Sequence, residues 1–436
     1  MEREKILHTL TLGCKVNQYE TEAMEELFLK SGYRKMDETD DFADVYLINT
    51  CTVTNLSDRK SRQMIRRAKR ENPEAVVCVV GCYAQVKPEE VAALEGVDVV
   101  LGTKDREKVV SYCEEAMKGR GGVYVEDISR FRVFQDIETE KQSDMNRAYL
   151  KVQDGCNRYC SYCIIPFARG PVRSRPLEDA VLQARRLAEN GYKELILTGI
   201  HVASYGLDTK ETDLAGLIES IAKVDGIERI RLSSMEQSAI TREFLERTMA
   251  TGKLCDHFHL SLQHGSNDVL KAMRRQYTAE EFYEKVELIR EVMPYVGLST
   301  DIIVGFPGEE ERHVKELEEF LKKVEFSRLH VFKYSPRQGT VAAKLPDQVS
   351  GEEKTRRSER IIRIGEESAK RFSRKNFGRP LEVLFEEESA PGIYEGYTTN
   401  YLRVAMASSR PLKNEILRVK IETEEEPVVA KPWKEE

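Results

Sequence analysis

Three apolar runs near the start of the chain each end on a cysteine: ILHTLTLGC, ADVYLINTC and AVVCVVGC. Apolar stretches of this length, rich in β-branched residues, predict buried strands. Helical periodicity follows them at roughly residues 19–32, 57–71 and 88–94, and a fourth run, VDVVLG, precedes another helical pattern. Such alternation predicts a parallel sheet covered by helices. From residue 148 the pattern repeats with longer units. The runs AYLKVQ, ELILTG, RIRLSS, HFHLSLQ, LSTDIIVGF and LHVFKYS are separated by helical stretches such as LEDAVLQARRLAENG. Six β/α units are two short of a closed eightfold barrel, so an open (β/α)6 barrel is expected. A charged helical stretch at residues 352–375 is expected to pack on that barrel and lead away from it. Beyond it the short alternating runs PLEVLFE, IYEGYTTNYLRVAMA and EILRVKIE predict a small β-barrel, and the acidic end ETEEEPVVAKPWKEE reads as a frayed tail. The expected fold class is therefore α/β, with domains at residues 1–125, 142–371 and 373–436.

Composition narrows the setting. The chain has 436 residues, 40% hydrophobic and 33% charged, an ordinary soluble mixture with apolar material for more than one core. The start, MEREKILHTL, lacks the apolar segment of a secretory signal, and no apolar run approaches the length of a membrane span. A cytoplasmic protein without a membrane partner is expected, where structural disulfides are rare. Nine cysteines then point to metal or catalysis. The net charge of −7 argues against indiscriminate nucleic-acid binding but leaves room for a local basic face.

Cys14, Cys51 and Cys82 fall at the carboxyl ends of their strands, where open α/β sheets bind ligands. Three packed core thiols are the bland alternative; the shared placement favours a three-thiolate site. Cys78 reads as a small buried hydrophobe, and Cys113 and Cys255 have no assigned role. The stretch DGCNRYCSYC places Cys156, Cys160 and Cys163 in a C-x3-C-x2-C pattern after the first barrel strand, on the face where barrels keep their chemistry. Zinc ribbons need a second C-x2-C pair, which does not follow, and a redox pair leaves Cys156 unexplained. A four-iron cluster is normally held by four thiolates, so three leave one iron open to substrate or cofactor.

These residues resemble the radical S-adenosylmethionine (SAM) enzymes. The resemblance implies that Cys156, Cys160 and Cys163 hold a 4Fe–4S cluster whose free iron chelates SAM, and that reductive cleavage of SAM gives a 5′-deoxyadenosyl radical. It places Tyr162 beside the adenine. Thr198 and Gly199 in LILTGI, Ser234 and Glu236 in RLSSME, Gln263, and Asp301 and Gly305 in TDIIVGFPGE fall at strand ends that line the cofactor. Further motifs, LGCKVNQYETEA, INTCTVT, GCYAQ, GCNRYCSYCIIPFARG and GFPGE, are similar to the methylthiotransferase family across essentially the whole chain. That resemblance implies a second 4Fe–4S cluster on Cys14, Cys51 and Cys82 that supplies or carries sulfur, and an RNA-binding TRAM barrel at the C-terminus. Lys15, Val16, Tyr19 and Glu20 resemble the branch acting on N6-threonylcarbamoyladenosine beside the tRNA anticodon, at position 37. The alternatives are the branch acting on N6-isopentenyladenosine and the branch acting on a ribosomal-protein aspartate. The implied partners are tRNA, an electron donor such as flavodoxin or ferredoxin, and a sulfur source, with the chain acting as a monomer. Glu310 stands where the family usually has Thr, and Ser261 and His264 flank Gln263 where relatives often have Pro and Ser.

Several charged groups are candidates for RNA contact. The helical stretch DRKSRQMIRRAKR carries Arg59, Arg62, Arg66 and Arg67 among seven cations and is either a solvated face or a phosphate contact. Arg169, Arg173 and Arg175 follow the cluster loop and read as a positive rim near SAM and phosphates. Residues 373–436 hold ten Lys and Arg against twelve Asp and Glu, so RNA binding there needs a local patch. Arg374, Lys375, Arg379, Arg403 and Lys413 would supply it, with stacking by Tyr397 or Tyr401. His257, His259 and His264 form an incomplete zinc set and read better as polar packing inside the barrel.

Overall fold

The structure, a computed structural model, describes residues 3–433 apart from 54, 136, 138–145 and 425, with residues 55–57 described by their backbone alone. The N-terminal sheet contains β1 (Lys5–Thr11), β2 (Tyr33–Lys35), β3 (Val45–Thr50), β4 (Val76–Gly81), β5 (Val99–Leu101) and β6 (Gly122–Tyr124). Its order is β2-β1-β3-β4-β5-β6 and every pairing is parallel. The short strands β2 and β6 extend the sheet beyond the four expected runs. Both faces are covered: Leu7, Leu47, Val80 and Phe28 belong to one core, and Ile48, Val77, Val79 and Ile65 to the other. Burial on both faces explains why these strands read as continuous apolar runs. Cys78 and Cys113 lie fully buried in the first core, side chain to side chain.

The second domain has six parallel strands in an open barrel. In its first half β7 (Arg147–Lys151), β10 (Glu194–Thr198) and β11 (Arg229–Leu232) pair; in its second half β12 (His257–His259), β13 (Gly297–Val304) and β14 (Arg328–Lys333) pair. Parallel bridges Ile230–Leu254 and Met235–Leu260 join the halves. A hairpin of β8 (Gln153–Asp154) and β9 (Arg173–Ser174) encloses the cysteine loop. The strands alternate with period two. Ala148, Leu150, Leu195, Leu197, Ile230 and Phe258 pack outward against the helices. The intervening Lys151, Arg231 and His257 face the lumen and make it polar. His257 and His259 both bond the Ser299 hydroxyl at 3.1 and 3.0 Å, so polar lumen packing accounts for them.

The helix Gly351–Asn376 packs along β14 and runs into the C-terminal unit. The boundary expected at residues 371–373 falls within this helix, whose Phe372 already packs on the small-barrel core. That barrel closes in the order β15 (Pro380–Ala390), β16 (Ile393–Thr398), β17 (Arg403–Ala407), β19 (Val428–Pro432), β18 (Ile416–Ile421). The acidic end is therefore not wholly a frayed tail. Val428 and Ala430 are buried and seal the barrel, a short apolar alternation hidden among glutamates.

Candidate functional site

The three N-terminal cysteines sit together at the carboxyl edge of the sheet, each where a strand gives way to a turn. Cys14 caps the helix α1 (Lys15–Lys30), Cys51 follows β3, and Cys82 opens the short helix after β4. Their closeness depends on the glycines before Cys14 and Cys82. Gly13 has φ +118°, and a Cβ there would lie 2.9 Å from Cys51 Cβ and 3.2 Å from its sulfur. Gly81 has φ +97° and lies against Asn49 and Thr50, where a Cβ would meet Asn49 Oδ1 at 2.4 Å. Asn17 ties the first two loops by donating to Leu12 O at 2.8 Å and Thr50 O at 3.1 Å. Burial, with the nearby charge of Cys82, pushes the Cys51 thiol up to about 12. A thiol so placed ionises only when a positive centre joins it.

The second triad occupies the loop between β8 and β9. Cys156 N donates to Gly170 O at 3.0 Å and Cys163 N to Cys160 O at 3.0 Å, which folds the loop on itself. Arg275 Nη1 reaches Cys160 Sγ at 3.4 Å, and the Arg158 amide reaches Cys156 Sγ at 3.5 Å. Burial pushes Cys163 up to about 12, with Cys160 and Cys156 adding to it. Among the described residues no group of three His, Cys, Asp or Glu side chains is arranged around a single ion. A cube of four irons takes each thiolate on a different iron, so its ligands surround a volume rather than a point.

Barrel residues grip all three N-terminal cysteine loops. Arg169, on the helix just after Cys163, is fully buried. It meets Glu20 at 2.5 and 2.9 Å, Asn17 Oδ1 at 2.7 Å and Cys82 Sγ at 3.3 Å. Arg337 donates to Thr52 Oγ1 and Asp58 Oδ2, each at 2.6 Å, next to Cys51. Around Glu20 and Asp154 gather Lys151, Arg106, Arg169 and Arg173. Burial alone would raise both carboxyls; the surrounding cations hold them well below the usual range. The expectation of a positive rim is thus corrected: Arg169, Arg173 and Arg175 are at most 2% exposed, Arg169 because the domain junction closes over it and Arg175 because it packs on the barrel backbone. The excess of cations around Glu20 and Asp154 would suit thiolate-bound clusters, which would bring negative charge to both cysteine sets. The donor sets, the raised thiols and the arginine donors aimed at two sulfurs all fit four-iron clusters on three thiolates.

Two cavities open beside these sets. One, of about 250 Å3, is lined by Tyr162, Cys163, Gln263, Asp301, Phe332 and Tyr334 among others. The other, of about 540 Å3, runs from Cys14 and Lys15 past Thr198, Gly199 and Ser234 down the lumen to Tyr401. Asp301 and Phe332 line both. Of the cofactor residues expected from the sequence, Glu236 and Gly305 line neither. Glu236 is buried, pairing with Arg158 at 2.7 Å and Arg275 at 3.7 Å, and so braces the cysteine loop. Gly305 N donates to Glu309, and its Cα packs on Lys354. Motif position alone marked Arg169, and nothing local marked Arg275 or Arg337, which reach the site from distant turns.

The expected RNA contacts separate into two groups. Arg59 and Arg66 are exposed and make no ion pair among the described residues. Arg62 is held by Tyr83 and Glu90, and Arg67 by Glu71 at 2.6 Å. In the C-terminal unit Arg374 pairs with Glu424, Lys375 with Glu325 and Arg403 with Glu395. Tyr401 faces inward: it stacks on His257 at 4.6 Å and on Tyr397 at 4.9 Å, with the Arg231 guanidinium 4.6 Å from its ring centre. Arg231 also donates to the carbonyls of Thr398 and Thr399, so this turn plugs the lumen.

Comparison with known proteins follows the same division. Residues 150–321 match the Radical SAM superfamily, and residues 6–102 match the Uncharacterized protein family UPF0004. The chain is 45% identical over 417 residues to the threonylcarbamoyladenosine tRNA methylthiotransferase MtaB of Bacillus subtilis (strain 168), covering 94% of this chain and 92% of that one. It is 43% identical to the protein of that name from Aquifex aeolicus (strain VF5), covering 87% and 92%. It is 33% identical to the tRNA-2-methylthio-N(6)-dimethylallyladenosine synthase of Thermodesulfovibrio yellowstonii, covering 96% of each. Among solved structures it shares a fold with the radical SAM methyltransferase TsrM from Kitasatospora setae, at TM-score 0.56, 15% identity and 77% coverage of both chains.

Proposed function

The chain belongs to the tRNA methylthiotransferases of the radical SAM superfamily, and on that premise we propose that it places a methylthio group at C2 of N6-threonylcarbamoyladenosine beside the anticodon. The observation that carries the reading is the pair of three-cysteine sets facing one junction, locked together by Arg169. The adenine C2–H bond is strong and not acidic, so a positioned base does not suffice. The bound cluster and SAM supply the chemistry: reductive formation of a carbon radical able to take the C2 hydrogen.

The protein's own residues position and enclose. Cys156, Cys160 and Cys163 hold the barrel cluster, and Cys14, Cys51 and Cys82 hold the sulfur-bearing one. Of the residues assigned to SAM, Tyr162 and Gln263 bound one cavity, Thr198, Gly199 and Ser234 bound the other, and Asp301 bounds both; the larger cavity also reaches Cys14, the end that receives the base. Asp301 and Phe332 line both cavities, so the two adjoin. Arg59 and Arg66 meet RNA phosphates. A flavodoxin- or ferredoxin-type donor supplies electrons singly, a separate source restores sulfur, and the work is done in the cytoplasm. Among the described residues no helix is long and apolar enough to cross a membrane.

Mass spectrometry of tRNA nucleosides from a deletion strain tests this reading. Loss of 2-methylthio-N6-threonylcarbamoyladenosine, with its unthiolated precursor accumulating, is expected. Unchanged levels in a strain with no second such gene would refute it.

A further inference from the structure

We propose that the cavity between Cys14 and Tyr401 is a carboxylate receptor in which Lys15 binds the acid end of the threonylcarbamoyl group. This rests on the function proposed above and says which residue reads the substrate. The cavity is large, about 540 Å3, and its charge is unbalanced: Lys15, Arg231 and Arg328 line it against the single carboxylate of Asp301. Two of the three cations are already engaged. Arg231 is bound to Glu194 at 2.7 Å and to two carbonyls, and Arg328 is bound to Glu426 at 2.7 Å. Lys15 is half-buried and makes no ion pair or hydrogen bond among the described residues; the Tyr149 ring lies 5.9 Å from its ammonium. A partly desolvated ammonium without a counter-ion is costly, and a carboxylate offsets that cost.

A second observation points the same way. Ser233 is 6% exposed, lines this cavity, and its hydroxyl has no hydrogen-bond partner among the described residues. His257, also buried in the lining, leaves its Nδ1 without one among the same residues. Buried polar atoms left open in this way await a polar ligand. A dimethylallyl group would lay hydrocarbon against them and satisfy none, which makes the cavity selective against it.

Two carboxylates could arrive here, that of the threonyl group and that of SAM. Placement favours the first. The residues expected at the cofactor divide between the two cavities, with Tyr162 and Gln263 in the other one, whereas Lys15 directly follows Cys14, at the sulfur-bearing end of this one.

The test uses the full chain, anaerobically reconstituted, as wild type, Lys15→Met, Lys15→Arg and Ser233→Ala. Iron content and electron paramagnetic resonance spectra establish equal cluster loading. The probes are anticodon stem-loop RNAs carrying the threonylcarbamoyl acid, its primary amide, or isopentenyladenosine, with Kd read by fluorescence anisotropy. Wild type is expected to bind the acid at least about tenfold more tightly than the amide. Lys15→Met should shrink that gap to about twofold or less, Lys15→Arg should keep most of it, and Ser233→Ala should narrow it by about threefold. SAM affinity measured without RNA should stay unchanged. A gap that survives in Lys15→Met overturns the inference, and so does a parallel loss of SAM affinity, which would assign Lys15 to the cofactor. If Lys15→Met fails to load clusters, Ser233→Ala decides: an undiminished gap there overturns the receptor. Wild type that prefers the isopentenyl RNA removes instead the substrate reading on which the inference rests.

Discussion

Replacing Arg169 with Met should loosen the N-terminal domain from the barrel while sparing the rest of the chain. The guanidinium is fully buried and makes a two-pronged bond to Glu20, a 2.7 Å bond to Asn17 and a 3.3 Å contact with the Cys82 sulfur. Removing one partner of a buried ion pair costs about 3–5 kcal/mol. Glu20 keeps Lys151 at 2.6 Å and also Arg106, so its charge is not abandoned. The expected cost is therefore at the low end, about 3 kcal/mol, or about two orders of magnitude in the local opening equilibrium. Hydrogen exchange of the apoprotein measures it. Amides of Lys15–Lys30 whose protection depends on docking should exchange roughly a hundredfold faster, while those of Ile393–Thr398 in the small barrel stay as they were. Arg169→Lys, which keeps charge but loses the fork, should fall between. Exchange of α1 within threefold of wild type would refute the reasoning, as would an equal loss in both regions.

Other consequences are open to measurement. Gly13→Ala puts a Cβ 2.9 Å from Cys51 at a left-handed backbone position, so reconstituted iron should fall from about eight per chain towards four, with the Cys156 set still loaded. Glu194 has its own pH signature. Burial would raise it, but Arg231, Arg229 and Arg147 hold it at about 2 against an ordinary 4.5. A depressed carboxyl contributes stability that is present above its unfolded value and lost as pH falls through the folded one. Unfolding of the apoprotein should therefore show about 3 kcal/mol draining between about pH 5 and 2, and Glu194→Gln should flatten that slope. Substituting both Arg59 and Arg66 with Ala should weaken tRNA binding and reduce the slope of log affinity against log salt by about 1.5, read by anisotropy across a salt series. An unchanged slope would take that helix out of the RNA interface.

The strands and both cysteine sets were legible because their signals are local. Continuous apolar runs ending in cysteine, two of them through Gly-Cys, mark strand ends, and C-x3-C-x2-C marks a loop. What joins them was not legible. FARGPVRSR reads as a positive rim until the fold brings Glu20 to Arg169 across 149 positions of sequence. Charge type alone does not say whether a partner waits elsewhere in the chain. Tyr397 and Tyr401 looked suited to stacking on bases, yet the lumen of another domain claims them through Arg147, Arg231 and His257. Motif position puts Glu236 and Gly305 at the cofactor, yet neither lines either cavity: one pairs with Arg158 of the cysteine loop and the other packs on Lys354. Strand-end position indicates a face, whereas lining a cavity depends on which way each side chain turns. Val428–Pro432 was hidden because its two buried residues are too few to outweigh the glutamates around them.

The most direct measurement is turnover by the purified chain. Reconstituted protein carrying about eight irons, given SAM, a strong reductant and tRNA bearing N6-threonylcarbamoyladenosine, should yield the 2-methylthio nucleoside by mass spectrometry. Cys14→Ala and Cys156→Ala should each abolish it while leaving about four irons. Fully loaded protein that leaves this nucleoside unchanged but thiolates isopentenyladenosine, or a Cys14→Ala variant that keeps eight irons and full turnover, would contradict the two-cluster threonylcarbamoyladenosine methylthiotransferase described above.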